Sequence, residues 1–461
     1  MDSTDFRSLK LCTELLSVVQ ELGYEKMTPI QQASIPLLLE GKDVLGQAKT
    51  GSGKTAAFSL PILNKVNLEN QNIQALIICP TRELATQVVT EIRKWGRKFV
   101  GLKVLSLIGG QTGRDQAQSL ENGVHIAVGT PGRILDHITR DRIDLNDVAT
   151  VVFDEADKIL EMGFEKEIRA IMKELPSKRQ TALFSATFPE SIQALSKSYQ
   201  RNPVSVQIAD PEGESSSIEQ IVYDAHEDEK LNVLMRVLQQ HPSKSTIIFC
   251  NMKATVNEVV AAIERNDVPC GGLHGDLDQR ERDQVMAMFR NGSITLLVAT
   301  DVAARGLDID ALEMVVNYDL PVQSETYVHR IGRTGRAGRS GISITLANPK
   351  DTLKLLELEK LTGGKLLRPS LGYKNQHGLT GMTLPSMQTL SISGGRKDKL
   401  RPGDILGALT GTAGLKAADV GKIEVLDKVT YVAISRKAVN QAMDRLRNGK
   451  IKGTKYPVRK H

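Results

Sequence analysis

Short, uninterrupted apolar runs recur along this chain, each followed by a longer amphipathic stretch. One series holds AspValLeuGlyGln from Asp43, AlaLeuIleIleCys from Ala75, HisIleAlaVal from His125, ValValPheAsp from Val151 and AlaLeuPheSer from Ala182. A second holds ThrIleIlePheCys from Thr246, LeuLeuValAlaThr from Leu296, MetValValAsnTyr from Met314 and GlyIleSerIleThrLeu from Gly341. A strand that is apolar at successive positions is buried on both faces, which implies a parallel sheet covered by helices. Two series predict an α/β chain with two doubly wound parallel-sheet domains.

The polar, Pro- and Gly-containing segment 210–217 lacks periodicity and reads as a linker between domains at 1–209 and 218–371. A second connector spans 372–385, and the remaining 386–461 reads β-α-β-β-α-β, with a basic last strand near Thr454. That order is the split βαβ plan, which RNA-recognition motifs share with many unrelated domains.

With 40% hydrophobic and 25% charged residues, the composition is that of an ordinary globular protein. No apolar stretch approaches the ~20 residues a membrane-spanning helix needs. The first ten residues carry Asp2, Asp5 and Arg7 rather than a basic-then-apolar leader, so a cytoplasmic protein is expected. Cys12, Cys79, Cys250 and Cys270 form no CxxC pair; Cys79 and Cys250 end apolar runs and read as small buried hydrophobes. The net charge of +6 is uneven: 386–461 holds 16 Lys and Arg against 6 Asp and Glu, whereas the rest holds 44 against 48. A basic tail on a mildly acidic body points to a polyanionic partner.

Three motifs carry chemistry. AlaLysThrGlySerGlyLysThr (48–55) follows an apolar run and opens an apolar helix. Its glycines let backbone N–H groups curl around a phosphate at a helix N-terminus, so Ala48, Lys49, Thr50, Gly51, Ser52 and Gly53 form a candidate cradle. Lys54 would reach the β/γ-phosphates and Thr55 would hold Mg²⁺, although Ala48 stands where the generic P-loop has Gly. AspGluAlaAsp (154–157) ends a buried run, where open α/β sheets bind ligands. Asp154 would orient Mg²⁺ through water and Glu155 would position and deprotonate an attacking water; helix capping by an acidic turn is the plainer explanation of that motif alone. HisArgIleGlyArgThrGlyArg (329–336) places Arg333 and Arg336 on one helix face, suited to neutralising charge on a transferred phosphoryl group.

In their order these motifs resemble those of the DEAD-box RNA helicases of superfamily 2, over roughly Phe6 to Lys360. The match also includes ThrProIleGln (28–31), ProThrArgGluLeuAla (80–85), GlyGly (109–110), ThrProGlyArg (130–133), SerAlaThr (185–187), GlnArgGluArg (279–282) and AlaThrAspValAlaAlaArgGlyLeuAspIle (299–309). The resemblance implies two RecA-like domains that use ATP and Mg²⁺ to separate RNA strands locally. It implies adenine recognition by Gln31 with Phe6, and nucleotide contacts from Gly306 and Asp308. RNA contacts would come from Arg82, Gly110, Thr130 and Arg133, and from Arg282 and Thr300. Coupling of hydrolysis to strand separation would involve Asp157, Ser185, Thr187 and His329. Met27 and Lys49 depart from the family's usual Pro and Gln.

The tail resembles the RNA-binding domain of the bacterial DbpA-type members, a small α+β domain like an RNA-recognition motif. That resemblance implies 23S ribosomal RNA near hairpin 92 as target and large-subunit assembly intermediates as partners, for a monomeric enzyme acting away from membranes. Only Tyr431 supplies an aromatic where such domains stack bases, so Lys397, Lys428, Lys452 and Lys455 are the expected RNA contacts. Two rival readings are a DNA translocase, which shares the engine, and an RNA tether with a vestigial ATPase.

Overall fold

The computed structural model describes residues 4–48, 51–110, 113–208, 218–304, 312–335, 340–372, 384–411 and 414–461. The chain divides into two compact units, the first carrying one sheet and the second carrying two. Among the described residues the first sheet has strands β1 (Val44–Gln47), β2 (Ala75–Ile78), β3 (Val104–Leu107), β4 (Ile126–Gly129), β5 (Thr150–Phe153), β6 (Gln180–Ser185) and β7 (Val204–Gln207). They are all parallel, in the order β3-β4-β2-β5-β6-β1-β7.

The central strands show why the apolar runs are continuous. Every residue of β2, β4 and β5 is buried. Because side chains alternate along a strand, Ala75 and Ile77 enter one helix-covered core with Leu15, Ile30 and Trp95. Leu76 and Ile78 enter the core on the other face with Val151, Phe153 and Ile159. Each buried Val, Leu, Ile or Phe side chain among them contributes roughly 1.5–3 kcal/mol by leaving water.

In the second unit β8 (Ile218–Asp224), β9 (Thr246–Cys250), β10 (Cys270–Leu273), β11 (Leu296–Thr300), β12 (Met314–Asn317) and β13 (Gly341–Ala347) form a parallel sheet ordered β10-β11-β9-β12-β13-β8. Cys79 and Cys250 are fully buried, as their apolar settings predict.

The third sheet is antiparallel: β14 (Met387–Ile392), β15 (Val420–Val425), β16 (Thr430–Ser435) and β17 (Val458–Lys460), in the order β15-β16-β14-β17. The last strand therefore begins four residues beyond Thr454, which instead closes a tight turn with Ile451. Leu390, Ile392, Val432 and Ile434 pack one sheet face on the helices Pro402–Thr410 and Val439–Asn448.

The other face meets the helix Gln279–Arg290 and the residues after it. Arg290 pairs with Glu424, Asn291 Nδ2 and Ser293 Oγ each lie 2.8 Å from Thr389 Oγ1, and Gln284 bonds His461 at 3.1 Å. Tyr431 is only 1% exposed there. It offers no ring for a base to stack on, and burial of its hydroxyl pushes its pKa up to about 12. The folded chain thus removes the lone stacking candidate of the tail.

Candidate nucleotide and RNA sites

The strand β1 ends at Gln47, and the chain turns through Gly51 and Gly53, both at positive φ (82° and 91°), into the helix Lys54–Lys65. Glycine suits such backbone angles because a Cβ would clash there. Gly53 is the helix N-cap and brings no side-chain cap, so the first N–H groups are left for an anion. Lys54 is buried and its Nζ donates to the Ala48 carbonyl at 2.7 Å, folding the ammonium back across the loop. Lys49 and Thr50 lie outside the described residues.

Gln31 belongs to the helix Pro29–Leu39, where it closes a capping box: its Oε1 accepts from the Thr28 backbone N–H at 3.0 Å. Its Nε2 donates to the Gly53 carbonyl at 3.1 Å, so the expected adenine reader is tied to the phosphate loop. Phe6 is 1% exposed and packs in the same core cluster as Ile30.

Asp154, just past β5, is buried, and its Oδ1 has no hydrogen-bond partner. Burial raises its pKa to about 6, against the opposing pull of Lys54. A buried carboxylate oxygen without a donor, beside a phosphate loop, fits a hard divalent cation such as Mg²⁺. Glu155 sits at φ 53°, ψ 52°, a left-handed conformation that is uncommon outside glycine. It opens the helix Ala156–Glu161 and its Oε2 accepts from Lys158 Nζ at 2.7 Å. Asp157 Oδ2 accepts from the Ala186 N–H at 3.2 Å and from the N–H and hydroxyl of Thr187 at 3.1 Å each, while its own N–H donates to Ser185 Oγ at 3.3 Å. The AspGluAlaAsp and SerAlaThr segments are therefore one hydrogen-bonded unit.

The first unit also gathers its four expected RNA contacts. Arg82, at the start of the helix Arg82–Trp95, lays its guanidinium against Gly109, in the space a Cβ would fill. Arg133 Nε donates to the Ile108 carbonyl at 3.2 Å, and Thr130 is the N-cap of the helix Pro131–Thr139 that carries it. Gly110, at φ 82°, turns the chain between them.

In the second unit, Arg282 donates to the Ala303 carbonyl at 3.1 Å and the Ala303 N–H donates to Thr300 Oγ1 at 3.4 Å, so these two expected contacts converge. His329 and Arg333 end and follow the helix Ser324–Ile331, with Arg333 buried. Arg336, Gly306 and Asp308 lie outside the described residues.

The residue that motif reading passed over is Arg330. It is 1% exposed, bonds both oxygens of Asp301 at 2.7 Å, and donates to Asn251 Oδ1 (2.9 Å), the Asp319 carbonyl (2.6 Å) and Asn317 Oδ1 (3.3 Å). Its place between His329 and Arg333 was the only signal, because its partners come from three distant segments.

In the tail, Lys397 and Lys428 are exposed at one end of the sheet, where the Lys397 N–H bonds the Asp427 carbonyl at 2.9 Å. Lys452 joins that end but commits its ammonium to the Lys399 carbonyl (2.9 Å) and Asp404 (3.3 Å). Lys455 is exposed beside Tyr456, whose ring lies on Gly394.

A parallel sheet with a glycine loop at a helix N-terminus after β1, paired carboxylates after β5 and a second sheet bearing an arginine-rich helix end define a nucleotide-driven enzyme. The chain belongs to the DEAD-box ATP-dependent RNA helicases. The DEAD/DEAH box helicase family matches residues 28–195, the helicase conserved C-terminal domain 229–338, and the DbpA RNA binding domain 389–460. It is 45% identical over 446 residues to the ATP-dependent RNA helicase DbpA of Escherichia coli (strain K12), covering 96% of each chain. It is 44% identical over 365 residues to the DEAD-box ATP-dependent RNA helicase CshA of Geobacillus kaustophilus, covering 79% of this chain and 78% of that one. Among solved structures it is similar to S. cerevisiae Dbp5 bound to RNA and ADP BeF3, with TM-score 0.72, 33% identity, and coverage of 80% of this chain and 96% of that chain. The protein is thus an ATP-dependent RNA helicase of the DbpA type with a C-terminal RNA-binding domain.

The loop geometry gives a direct test. A Cβ on Gly53 would collide with the Gln31 amide and would sit at φ 91°. Gly53→Ala is expected to weaken binding of a fluorescent ATP analogue by about tenfold or more, since strain of roughly 1–3 kcal/mol falls on the loop that must close on phosphate. Unchanged affinity would show that this turn does not shape the phosphate cradle.

Proposed function

We propose that this helicase acts on 23S ribosomal RNA near hairpin 92 during assembly of the large ribosomal subunit, as a cytoplasmic monomer. The observation carrying this reading is the tail: the similarity to the Escherichia coli DbpA helicase runs through nearly the whole chain, and the DbpA RNA binding domain family matches 389–460. The core alone supplies little sequence preference, because phosphate and sugar contacts carry almost no base information. Choice of RNA then falls to the tail. With Tyr431 buried, the exposed cations Lys397, Lys428 and Lys455 are its proposed RNA contacts.

In the proposed reaction, N–H groups of residues 48–55 and Lys54 hold the ATP phosphates. Gln31 reads adenine, on a helix whose Ile30 packs in one core cluster with the buried Phe6. Thr55 and Asp154 would hold Mg²⁺, which neutralises charge on the transferred phosphoryl group when bound. Glu155 orients the attacking water and takes its proton. Arg333 and Arg336 supply fixed positive charge. The link from Asp157 to Ser185 and Thr187 passes the state of the ATP site to the rest of the first unit. Arg82, Gly110, Thr130, Arg133, Arg282 and Thr300 hold the RNA backbone.

The test compares ATPase stimulation by a hairpin 92 fragment and by an unrelated RNA of equal length. Replacing Lys397, Lys428 and Lys455 together by Ala is expected to abolish the preference for the ribosomal fragment while stimulation by high concentrations of either RNA persists. The salt dependence of binding should fall by about one unit of log–log slope for each phosphate deprived of its lysine. A preference that survives all three changes would remove the ribosomal target and leave a general RNA remodeller.

A further inference from the structure

The ionic inventory of the ATP site contains one member that the reaction described above does not use. Five charged side chains are buried there: Lys54, Asp154, Glu155, Asp157 and Lys158. Lys54 serves the phosphate loop, and Asp157 is satisfied by the N–H groups of Ala186 and Thr187 and the Thr187 hydroxyl. Lys158 is left, with its side chain 6% exposed and its ammonium 2.7 Å from Glu155 Oε2. A buried ammonium is tolerated only when it is paired.

The local geometry explains the pairing. The left-handed turn at Glu155 starts the helix Ala156–Glu161, and residues three apart on a helix share a face. Lys158 therefore reaches back over the turn to the carboxylate that precedes it. Glu155 also follows Asp154 directly, so two buried carboxylates are neighbours in a medium that magnifies their repulsion. A cation fixed on Glu155 offsets that repulsion and sets the rotation of its carboxylate.

We infer that Lys158 is a positioning residue for ATP hydrolysis: by holding Oε2 of Glu155 it keeps the water-activating carboxylate in one orientation, and it acts on turnover rather than on nucleotide affinity. This rests on the proposed role of Glu155 and extends it to a residue outside the motif. Loosening a flexible base lets it sample misdirected orientations, and a displacement of about 1 Å in such a group costs on the order of 10²-fold in rate.

The experiment uses the full chain with saturating RNA and measures kcat and KM for ATP. Alongside it run the affinity for a fluorescent ATP analogue and the thermal midpoint. Lys158→Met is expected to lower kcat by about 10- to 100-fold, with KM and analogue affinity within about twofold of the parent. Lys158→Arg, which keeps the charge and can reach the same oxygen, should recover most of the rate. If Lys158→Met lowers the midpoint so far that little folded protein remains, Lys158→Arg and Lys158→Gln at a lower temperature give the same comparison, since Gln can still donate to Glu155 but lacks the charge. Unchanged kcat in folded Lys158→Met protein, or a loss confined to KM, would overturn the inference. Glu155→Gln separates the two ideas: if that change leaves turnover intact, the role of Glu155 fails. If it abolishes turnover while Lys158→Met does not, only the part assigned to Lys158 fails.

Discussion

Glu155→Gln is expected to cut RNA-stimulated ATP turnover by about 10²–10⁴-fold, the usual contribution of a positioned general base, while binding of ATP and RNA persists. The amide is nearly the size of the carboxylate and can still accept a hydrogen bond from Lys158, whose ammonium lies 2.7 Å from Oε2 in the parent. The substitution therefore preserves packing at a buried position and removes mainly the capacity to take a proton. Nothing in the phosphate loop changes, because Lys54 is anchored on the Ala48 carbonyl rather than on Glu155. The readout is single-turnover hydrolysis beside equilibrium binding of an ATP analogue and a short RNA. Hydrolysis near the parent rate would remove Glu155 from the mechanism, and loss of ATP binding would mean that its part is structural.

The place of such a carboxylate in the fold was legible from sequence because the pattern is local: a glycine loop ending in a lysine and a pair of acids each follow an apolar run. The same locality explains which strands were legible. All nine runs picked out by continuous apolar character correspond to strands of the two parallel sheets. The four that escaped, β3, β7, β8 and β10, are the outer strands of those sheets. An outer strand has a neighbour on one side only and tolerates mixed residues. Thus β7 reads ValSerValGln, with only Val206 buried, and β10 spends two of its four positions on glycine. The tail shows a different limit. Its β-α-β-β-α-β order could be read, and so could the isolation of Tyr431 as an aromatic. That Tyr431 lies under the helix Gln279–Arg290 depends on residues more than a hundred positions away, such as Arg290 with Glu424. No periodicity encodes a pairing of that kind.

Arg330 shows that limit at its greatest and leads to the largest expected effect on stability. Its neighbours Arg333 and Arg336 were singled out to neutralise charge on the phosphoryl group, yet Arg330 is the guanidinium that the second unit buries most completely among its described arginines. Five acceptor atoms surround it, from Asn251, Asp301, Asn317 and Asp319, and its Cζ lies 5.1 Å from the centroid of the Phe249 ring. These groups follow β9, β11 and β12 or end them, so one side chain ties three neighbouring strand ends together. Arg330→Met keeps a long apolar stem but leaves Asp301 and three amide or carbonyl acceptors without their donor. Breaking a buried pair by removing one partner typically costs ~3–5 kcal/mol, which for a unit of this size lowers the unfolding midpoint by roughly 10 °C. Arg330→Lys should recover only part of that, since an ammonium cannot fork between two carboxylate oxygens and a third acceptor. The measurement is thermal unfolding of the full chain, followed by hydrogen exchange of residues 246–251, 296–301 and 314–319, where protection should fall together. Arg333→Met provides the contrast: a loss of turnover that is larger than its effect on the midpoint. If Arg330→Met instead unfolds with the parent while losing hydrolysis, Arg330 is part of the reaction itself and its hydrogen-bond network is not what holds the strand ends.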